Sequence, residues 1–455
     1  MNEEKPRIVF HREIPVRYEP DIFIAGGGPA GIAAAISAAR EGAKVFLAEG
    51  QGCLGGLGTA GLVPAFMQFG DGANFLAAGI GYEVLSRLRS AGGTDPNDRP
   101  DASTDKIIGI KAEILKRVYD EMMTEAGVDF TLHTTLIGVE TNNGCITAAI
   151  CAAKSGIYAV RAKIYIDCTG DGDLAAWAGA PFEKGDEKGV LQPGTLCSLW
   201  ANIDFDKWKK SGISHQAARL EEAYKDGVFS YLDRHLPGIW PISENIGGGN
   251  VGHVFGVDGT DEKSLTNALI EGRKLLMQYE RYYKQYLPGF EKMELVATGS
   301  LMGIRETRRI IGDYILSLDD FRNRAVFDDE IGRYCFPVDI HPSSPDADDY
   351  EKYKHGWDNY RLERGESYGI PFRCLVPQGL SNVLVAGRCI STDRYLQGSV
   401  RVIPGCYITG QAAGVAAAIA AENNTTTRDI SIKEVQKRLI KIGAYLPNAK
   451  VEGTK

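Results

Sequence analysis

The sequence predicts an α/β fold in which a domain built on a parallel sheet is interrupted by an α+β domain. Apolar strand segments end in glycine-containing turns near residues 25, 168 and 385. The sequence between about residues 182 and 364 is richer in Trp, Tyr and charged residues than the sequence on either side. With 455 residues, the chain exceeds the size at which a single core stops growing, so we expect two domains.

The segment from Asp21 to Glu49 reads as one β-α-β unit. DIFIAGG is a short apolar strand, PAGIAAAISAAREG an Ala-rich helix and AKVFLAE a second strand. Gly26, Gly28 and Gly31 lie where glycines permit a tight turn, close approach of a pyrophosphate and close helix–strand packing. Glu49 follows about 20 residues on, where a carboxylate accepts hydrogen bonds from ribose hydroxyls. The unit predicts a Rossmann-type dinucleotide site.

A second G-x-G-x-x-G match, from Gly247 to Gly252, lacks this context. No clear apolar strand precedes it and no helix begins at it, and the following text, HVFGVDGTDEKS, reads as strand and turn. We therefore expect a structural loop there. This removes the obvious candidate for a separate NAD(P)H-binding domain.

Two later segments favour FAD over NAD at the first site. Thr169–Asp173 (TGDGD) ends an apolar strand, and Gly398–Cys406 (GSVRVIPGC) leads into a helical run. We expect both to present backbone N–H groups to an extended ligand. FAD is long enough to reach both segments, whereas an NAD-only site does not need them. The sequence therefore predicts non-covalently bound FAD.

Several motifs together resemble those of the bacterial FAD-dependent oxidoreductases with a glutathione-reductase-type FAD fold. They are the N-terminal unit, IDCTGDGDLAAWAGA, GIRETRRIIGDYILSLDD, PVDIH, and NVLVAGRCIS with GSVRVIPGCYITGQAAGVAAA. The resemblance covers about residues 20 to 422, and a more distant similarity extends to fumarate reductase flavoproteins and tricarballylate dehydrogenase. It implies an FAD-binding domain at 18–181 and 365–425, a substrate or cap domain at 182–364, and a C-terminal helix and tail at 426–455.

The resemblance also implies which residues hold FAD. Those expected at the pyrophosphate and adenosine are Gly26, Gly28, Pro29, Ala30, Gly31, Glu49, Gly50 and Leu136. Those expected along the path to the flavin, at a second FAD contact and at the ribityl chain are Leu54, Gly55, Gly56, Thr59, Thr169, Gly170, Asp171, Gly387 and Arg388. Those expected near the flavin ring are Ser399, Val400, Arg401 and Cys406. A helix beginning near Cys406 would direct its positive end at the flavin N1/O2 edge, where reduced flavin is anionic.

Three polar residues in these motifs are candidates for catalysis. Arg305, in GIRETRR, is either a clamp for a carboxylate or part of a structural ion pair. His341, after FPVDI, is either a proton carrier, because imidazole titrates near neutral pH, or a structural histidine. Arg401, beside the expected flavin edge, would bind substrate or the flavin O2 atom.

These residues predict an FAD-dependent oxidoreductase that transfers hydride between flavin N5 and a small polar or anionic substrate. The alternative is an electron-relay flavoprotein that passes electrons to a partner protein, since the chain lacks an NAD(P)H domain and cluster-binding cysteines. A tRNA-modifying flavoprotein is disfavoured by the net charge of −8. No motif identifies the substrate or the electron acceptor or donor.

Composition excludes several other classes of protein. The acidic balance and the lack of a basic run argue against nucleic acid as a partner. The stretch from Val415 to Ala421 is too short to span a membrane, which takes roughly 20 apolar residues. The acidic N-terminus has no signal-peptide pattern, so we expect a cytoplasmic protein.

Cysteine and histidine spacing predicts no metal site. The nine cysteines are scattered without a C-x-x-C pair, which is typical of reduced thiols; Cys53 and Cys389 are expected to be core thiols rather than redox partners. None of the seven histidines pairs with another His or Cys at metal-ligand spacing along the chain.

Overall fold

The computed structural model describes residues 11–450. Residues 1–10, which include much of the acidic N-terminus, and residues 451–455 of the predicted C-terminal tail lie outside the described residues. The strands are, in chain order, β1 (Val16–Tyr18), β2 (Ile22–Ala25), β3 (Val45–Ala48), β4 (Ala65–Phe66), β5 (Ile108–Gly109), β6 (Asp129–Thr131), β7 (Thr135–Asn142), β8 (Cys145–Ala153), β9 (Gly156–Val160), β10 (Ile164–Asp167), β11 (Phe182–Lys184), β12 (Ser198–Ala201), β13 (Gly238–Pro241), β14 (Gly247–Asn250), β15 (Glu294–Thr298), β16 (Arg308–Ile310), β17 (Glu330–Tyr334), β18 (Tyr368–Pro371) and β19 (Val383–Val385). The helices are α1 (Pro29–Arg40), α2 (Ile80–Ser90), α3 (Ala112–Glu125), α4 (Asp173–Trp177), α5 (Phe205–Lys210), α6 (Leu220–Lys225), α7 (Glu262–Tyr286), α8 (Leu318–Arg322), α9 (Ala347–Asn359), α10 (Arg394–Val400), α11 (Ile403–Asn423) and α12 (Ile432–Lys441).

A five-stranded parallel sheet, in the order β19-β10-β2-β3-β6, forms the centre of a mixed α/β fold. The predicted β-α-β unit is confirmed as β2, α1 and β3. Strands β2, β3, β10 and β19 are buried along their whole length, which explains why they read as continuous apolar runs rather than alternating ones. Because the strands are parallel, their carboxyl ends meet at one edge of the sheet.

The predicted β-meander is confirmed as β7, β8 and β9, with β1 added parallel to β9. A two-residue loop joins β7 to β8, and both its residues, Asn143 and Gly144, have positive φ. This loop therefore matches the Asn-Gly preference of a tight hairpin.

Helix α11 crosses α1 at unusually close range. A Cβ at Gly410 would overlap the backbone of Ala30, and a Cβ at Gly414 would lie 2.9 Å from the Cα of Ala34 and closer still to its carbonyl oxygen. Among the described residues, α11 is the one helix long and apolar enough to cross a membrane, and its apolar part is wholly buried within the protein. The apolar stretch from Val415 to Ala421 predicts too short a segment for a span, whereas the whole helix has 21 residues; its burial identifies it as a core helix.

A second hydrophobic core is formed by residues between Leu196 and Ile304. It contains the antiparallel sheet β13-β14-β12-β15 and the long helix α7. Residues of the segment from Ile310 to Val338 pack in the first core instead.

The second G-x-G-x-x-G match does not form the expected loop. Gly247–Asn250 is strand β14, which pairs with β12 on one side and β13 on the other. Its glycines lie in the buried sheet: a Cβ at Gly248 would overlap the Pro64 side chain, and one at Gly249 would lie 2.7 Å from the Trp200 indole nitrogen. These glycines leave room for neighbouring side chains. Because they have no apolar side chains themselves, the sequence pattern does not predict a strand here.

Gly414→Ala tests the close crossing of α1 and α11. We expect it to lower the free energy of unfolding by about 1–3 kcal/mol, because the added methyl group has no space against the Ala34 backbone. Gly356→Ala in α9 is the matched control, because its Cβ would find no atom nearer than 3.9 Å. That change should instead stabilise by about 0.5–1 kcal/mol. Urea unfolding of both variants measures the contrast, and equal effects would contradict this account of the crossing.

Candidate active site

A cavity of about 420 Å³ lies at the edge of the sheet where the carboxyl ends of β2, β3, β10 and β19 meet. In open α/β sheets this edge is where ligands bind. The predicted cofactor residues that line it are Gly26, Gly28, Pro29, Ala30, Glu49, Gly50, Gly56, Leu136, Thr169, Gly170, Asp171, Gly387, Arg388, Arg401 and Cys406.

The first glycine loop is shaped around this cavity. Gly26 has φ +95°, a conformation that favours glycine, and Gly31 packs directly against the Gly26 carbonyl oxygen. A Cβ at Gly28, in contrast, would meet no atom within 4 Å. Gly28 is the N-cap of α1, and no side chain caps that helix end. The free N–H groups and positive end of α1 are therefore available to an anionic ligand.

Glu49 lies at the cavity with its carboxylate held by backbone donors. Its Oε2 accepts a hydrogen bond from the Gly27 N–H at 2.6 Å, and its Oε1 accepts one from the Gln51 N–H at 2.7 Å. Burial raises the pKa of this carboxyl, while the backbone donors oppose that rise. The carboxylate is thereby fixed in place with lone pairs left for further donors.

Three predicted FAD residues support the loop instead of lining the cavity. The Gly55 N–H donates to the Gly27 carbonyl oxygen, and the Thr59 hydroxyl donates to that of Leu54. The Leu54 side chain is fully buried beneath Gly27.

The second predicted FAD segment is tied to the GIRETRR motif. Asp171 Oδ1 accepts hydrogen bonds from Arg388 Nη2 and from the Thr307 hydroxyl, both at 2.7 Å. Arg308 Nη1 donates to the Asp171 carbonyl oxygen and to Asp173 Oδ1. Asp171 and Arg388 are thus an ion pair in the cavity wall, and Thr307 is a contributor that residue type alone did not single out.

The helix expected near Cys406 begins at Ile403, and no side chain caps its N-terminus. Ile403 and Cys406 line the cavity. Ser399 and Val400 belong to the preceding helix α10 and are buried; the Ser399 hydroxyl donates to the Phe336 carbonyl oxygen, away from the cavity. Two helix N-termini, those of α1 and α11, therefore meet at the same cavity.

Arg401 lies where the cavity adjoins a buried polar cluster. Its Nη1 donates to the Gln192 side-chain oxygen and to the Arg305 carbonyl oxygen, both at 3.0 Å, and its Nη2 donates to the Asp339 carbonyl oxygen at 2.7 Å. The carboxylate of Asp339 lies 3.5 Å from the same nitrogen. Burial lowers the pKa of Arg401 to about 10, so it still carries its charge at neutral pH.

Arg305 differs from the other charged residues of its motif. Glu306 is fully buried and pairs with Arg309 at 2.6 Å and Arg394 at 3.3 Å. The Arg305 guanidinium donates through Nη1 to the Pro193 carbonyl oxygen and the Thr195 hydroxyl. Within residues 11–450, no carboxylate lies within 4.0 Å of it. The interpretation of Arg305 as part of a structural ion pair is therefore not supported, because no described residue pairs with it.

His341 is buried with both ring nitrogens engaged. Its Nδ1 lies 2.8 Å from His253 Nε2, and its Nε2 lies 3.1 Å from Asp339 Oδ2. Burial and the neighbouring Arg305 charge hold the pKa of His341 well below its usual range. It lines a second cleft of about 500 Å³ and not the glycine-loop cavity, so its role as proton carrier stays a prediction.

All nine cysteines are free. Cys389 is fully buried, its thiol donates to the Ala386 carbonyl oxygen, and burial raises its pKa well above the usual value. Cys406, which lines the cavity, has its pKa raised to about 12. Neither is a thiolate at neutral pH.

The sequence did not indicate the cavity wall that the second core contributes. Apolar side chains do not by themselves indicate a ligand site in a sequence. For the segment 300–304, the only indication in the sequence is that it leads into the GIRETRR motif. The lining residues from this side are Gly259, Leu265, Leu269, Ser300, Leu301, Met302 and Ile304.

A model of the family described as FAD dependent oxidoreductase matches residues 21–439. The chain belongs to this family. It is an FAD-dependent oxidoreductase, and FAD is its cofactor. A search of curated proteins found no match.

Among solved structures, this FAD-dependent oxidoreductase is similar to a geranylgeranyl bacteriochlorophyll reductase-like protein from Thermoplasma acidophilum. The identity is 15%, over 93% of this chain and 83% of that one, with a TM-score of 0.46. It is also similar to p-nitrophenol 4-monooxygenase PnpA from Pseudomonas putida DLL-E4. There the identity is 11%, over 93% of this chain and 84% of that one, with a TM-score of 0.43.

The cavity of this flavoprotein fits FAD by its own chemistry. Two uncapped helix ends offer positive potential to the pyrophosphate and to the flavin edge, and Glu49 offers an acceptor for ribose hydroxyls. The open space at Gly28 is the space that an added side chain would fill.

Gly28→Ala tests this fit. Gly28 has φ −70° and ψ −177°, which alanine adopts without strain, so the variant should fold with the stability of the wild type in the absence of FAD. Its methyl group would occupy the cavity, and we expect FAD to bind at least about tenfold more weakly, or ~1.4 kcal/mol. Flavin fluorescence titration of the FAD-free protein measures the affinity, with Gly356→Ala as control. Unchanged affinity in Gly28→Ala would place the pyrophosphate elsewhere.

Proposed function

We propose that this FAD-dependent oxidoreductase transfers hydride between flavin N5 and a small anionic substrate. The observation that carries the proposal is the guanidinium of Arg305, which has no carboxylate within 4.0 Å among the described residues. Its own carbonyl oxygen accepts a hydrogen bond from Arg401, which lines the cofactor cavity. A desolvated cation without an anion is costly, and a bound substrate carboxylate would supply that anion.

Arg305 has hydrogen-bonding capacity left for such a substrate. Its protein acceptors are reached through Nη1, while its Nε and Nη2 make no hydrogen bond to residues 11–450. A guanidinium with two donors free on one side suits bidentate binding of a carboxylate. The lowered pKa of Arg305 has burial as its first cause, so the charge is in a poorly hydrated setting.

Arg401 is better suited to positioning than to binding the substrate. Its Nη1 and Nη2 groups donate to Gln192, to the Asp339 carbonyl oxygen and to that of Arg305, whereas its Nε makes no hydrogen bond within residues 11–450. The Arg305 carbonyl oxygen also accepts from Gln397. These bonds fix the backbone that carries the Arg305 side chain. FAD, when bound, accepts or supplies the hydride at N5. The two arginines and the cavity wall would then orient the anion and exclude water around it.

Finer features of the family resemblance accompany this proposal. We propose a glutathione-reductase-type FAD domain with non-covalent FAD held by the predicted contacts, which the position of those residues around the cavity supports. We also propose that the second core is the substrate domain, since its residues form one wall of the cavity. A cytoplasmic location is supported by the nine free thiols.

A panel of small carboxylates tests the reaction class. Under anaerobic conditions, we expect at least one hydroxy, amino or saturated carboxylic acid to bleach the oxidised flavin, or one unsaturated acid to re-oxidise the reduced flavin. The matching amide or alcohol should react far more slowly, because it offers no charge to Arg305. A flavin that responds to no small molecule but reacts with a co-purifying protein would favour the electron-relay alternative.

Arg305→Gln tests the anion clamp once a substrate is found. Truncating one partner of a buried charge pair costs about 2–5 kcal/mol, so kcat/KM should fall at least about 30-fold. The substrate-free enzyme loses no ion pair, so its stability should fall only by the hydrogen bonds to Pro193 and Thr195, about 1–3 kcal/mol. Arg281→Gln, an exposed residue on α7, is the control. Loss of stability with unchanged kcat/KM would assign Arg305 a structural role.

A further inference from the structure

Three histidines that are far apart in the sequence meet between the second core and the segment after β17. One ring nitrogen each of His235, His253 and His341 lies within 4.8 Å of the other two. His253 and His341 are buried, and His235 is half-buried. The sequence predicts no metal site because these histidines are far apart along the chain. In the folded protein they are close together, so that argument does not apply.

Two carboxylates lie beside ring nitrogens of this cluster, and one of them forms a hydrogen bond with its ring. Asp339 Oδ2 lies 3.1 Å from His341 Nε2, and Asp233 Oδ2 lies 3.3 Å from His253 Nδ1. An ionised carboxylate only accepts hydrogen bonds, so His341 Nε2 is an N–H donor and His341 Nδ1 carries a lone pair. His341 Nδ1 faces His253 Nε2 at 2.8 Å, so either a hydrogen or a cation lies between these two nitrogens. His253 Nδ1 is buried and makes no hydrogen bond within the described residues.

His235 adds a third nitrogen in the same place. Its Nε2 is buried and has no hydrogen-bond partner within the described part of the chain. Its ring is parallel to that of His253, with centroids 5.1 Å apart, and meets the His341 ring edge-on at 4.6 Å. A buried ring nitrogen without a partner is uncommon in folded proteins.

We propose that His235, His253 and His341 bind one divalent transition-metal ion of the Zn²⁺ class. Imidazole is a preferred ligand of such ions, and a carboxylate bonded to the other ring nitrogen is the usual support for a metal-binding histidine. Asp339 supplies that support for His341, and Asp233 holds the backbone N–H groups of His235 and His253. Three protein ligands match the zinc sites that keep one position for water or an exchangeable ligand.

The exchangeable ligand of this ion would be an anion. The positive charges of Arg305 and Arg401 act on His341, and the carboxylates of Asp339 and Asp233 offset them. A divalent ion therefore adds charge that a hydroxide or a small carboxylate must balance. The second cleft, which His341 lines, gives such a ligand a route to the cluster that is separate from the FAD cavity. The inference does not depend on the identity of the FAD substrate.

Metal analysis of the FAD-loaded enzyme, purified without a histidine tag, tests the site. After removal of metal with a chelator, equilibrium dialysis against Zn²⁺ should restore one ion per chain. His253→Gln should abolish this binding, and Asp339→Asn should weaken it about 10- to 100-fold, because Asp339 is hydrogen-bonded to the His341 ring. His215→Ala, an exposed histidine outside the cluster, should bind as the wild type does. Flavin absorbance in each variant shows that the fold is retained.

Two outcomes would overturn the proposal. One is a wild-type enzyme that keeps its FAD yet retains neither Zn²⁺ nor Co²⁺ nor Ni²⁺ above the level of His253→Gln. The other is equal binding by wild type and a His235→Gln/His253→Gln double variant with intact flavin absorbance. Either result would leave a shared proton as the cation between His253 and His341.

Discussion

The close contact between α1 and α11 is the constraint on which the site depends. Gly410 and Gly414 let the backbone of α11 approach Ala30 and Ala34 where any side chain would intrude. Because the two helices cross so closely, their N-termini, near Gly28 and Ile403, reach the same cavity. One positive helix end would serve the pyrophosphate and the other the flavin edge, so the spacing between these ends sets how FAD lies across the sheet.

The parts of the fold that follow from local physics were predictable from the sequence. The β-α-β unit, the β-meander with its Asn-Gly turn and the fully apolar strands all depend on residue period and turn chemistry within a few positions. The strand at Gly247–Asn250 was missed because its glycines make room for neighbouring side chains of the second core, and those neighbours are distant in sequence. The start of α11 differs from the expectation by three residues, although Pro404 lies in the first turn of this helix, where proline is common.

The charged residues of one motif have different partners in the structure, and their residue types alone do not predict which of them form ion pairs. In GIRETRR, Arg309 and Glu306 are paired and buried, and Arg308 binds the Asp171 turn, whereas Arg305 is without a carboxylate among the described residues. The histidine cluster is a second feature that the sequence alone does not predict. His235, His253 and His341 are separated by helices and strands of the second core, so spacing along the chain said nothing of their approach in space.

Segment 300–304 lies beside the second core and lines the FAD cavity. Cofactor binding therefore affects how the two cores are held together. Ser300 donates from its backbone to the carbonyl oxygen of Ala60, and its neighbours face the glycine loop across the cavity. FAD would thus touch both hydrophobic cores and fill the gap between them. Because a ligand that binds only the folded chain stabilises it by mass action, the free energy of unfolding of this enzyme should rise with the concentration of free FAD.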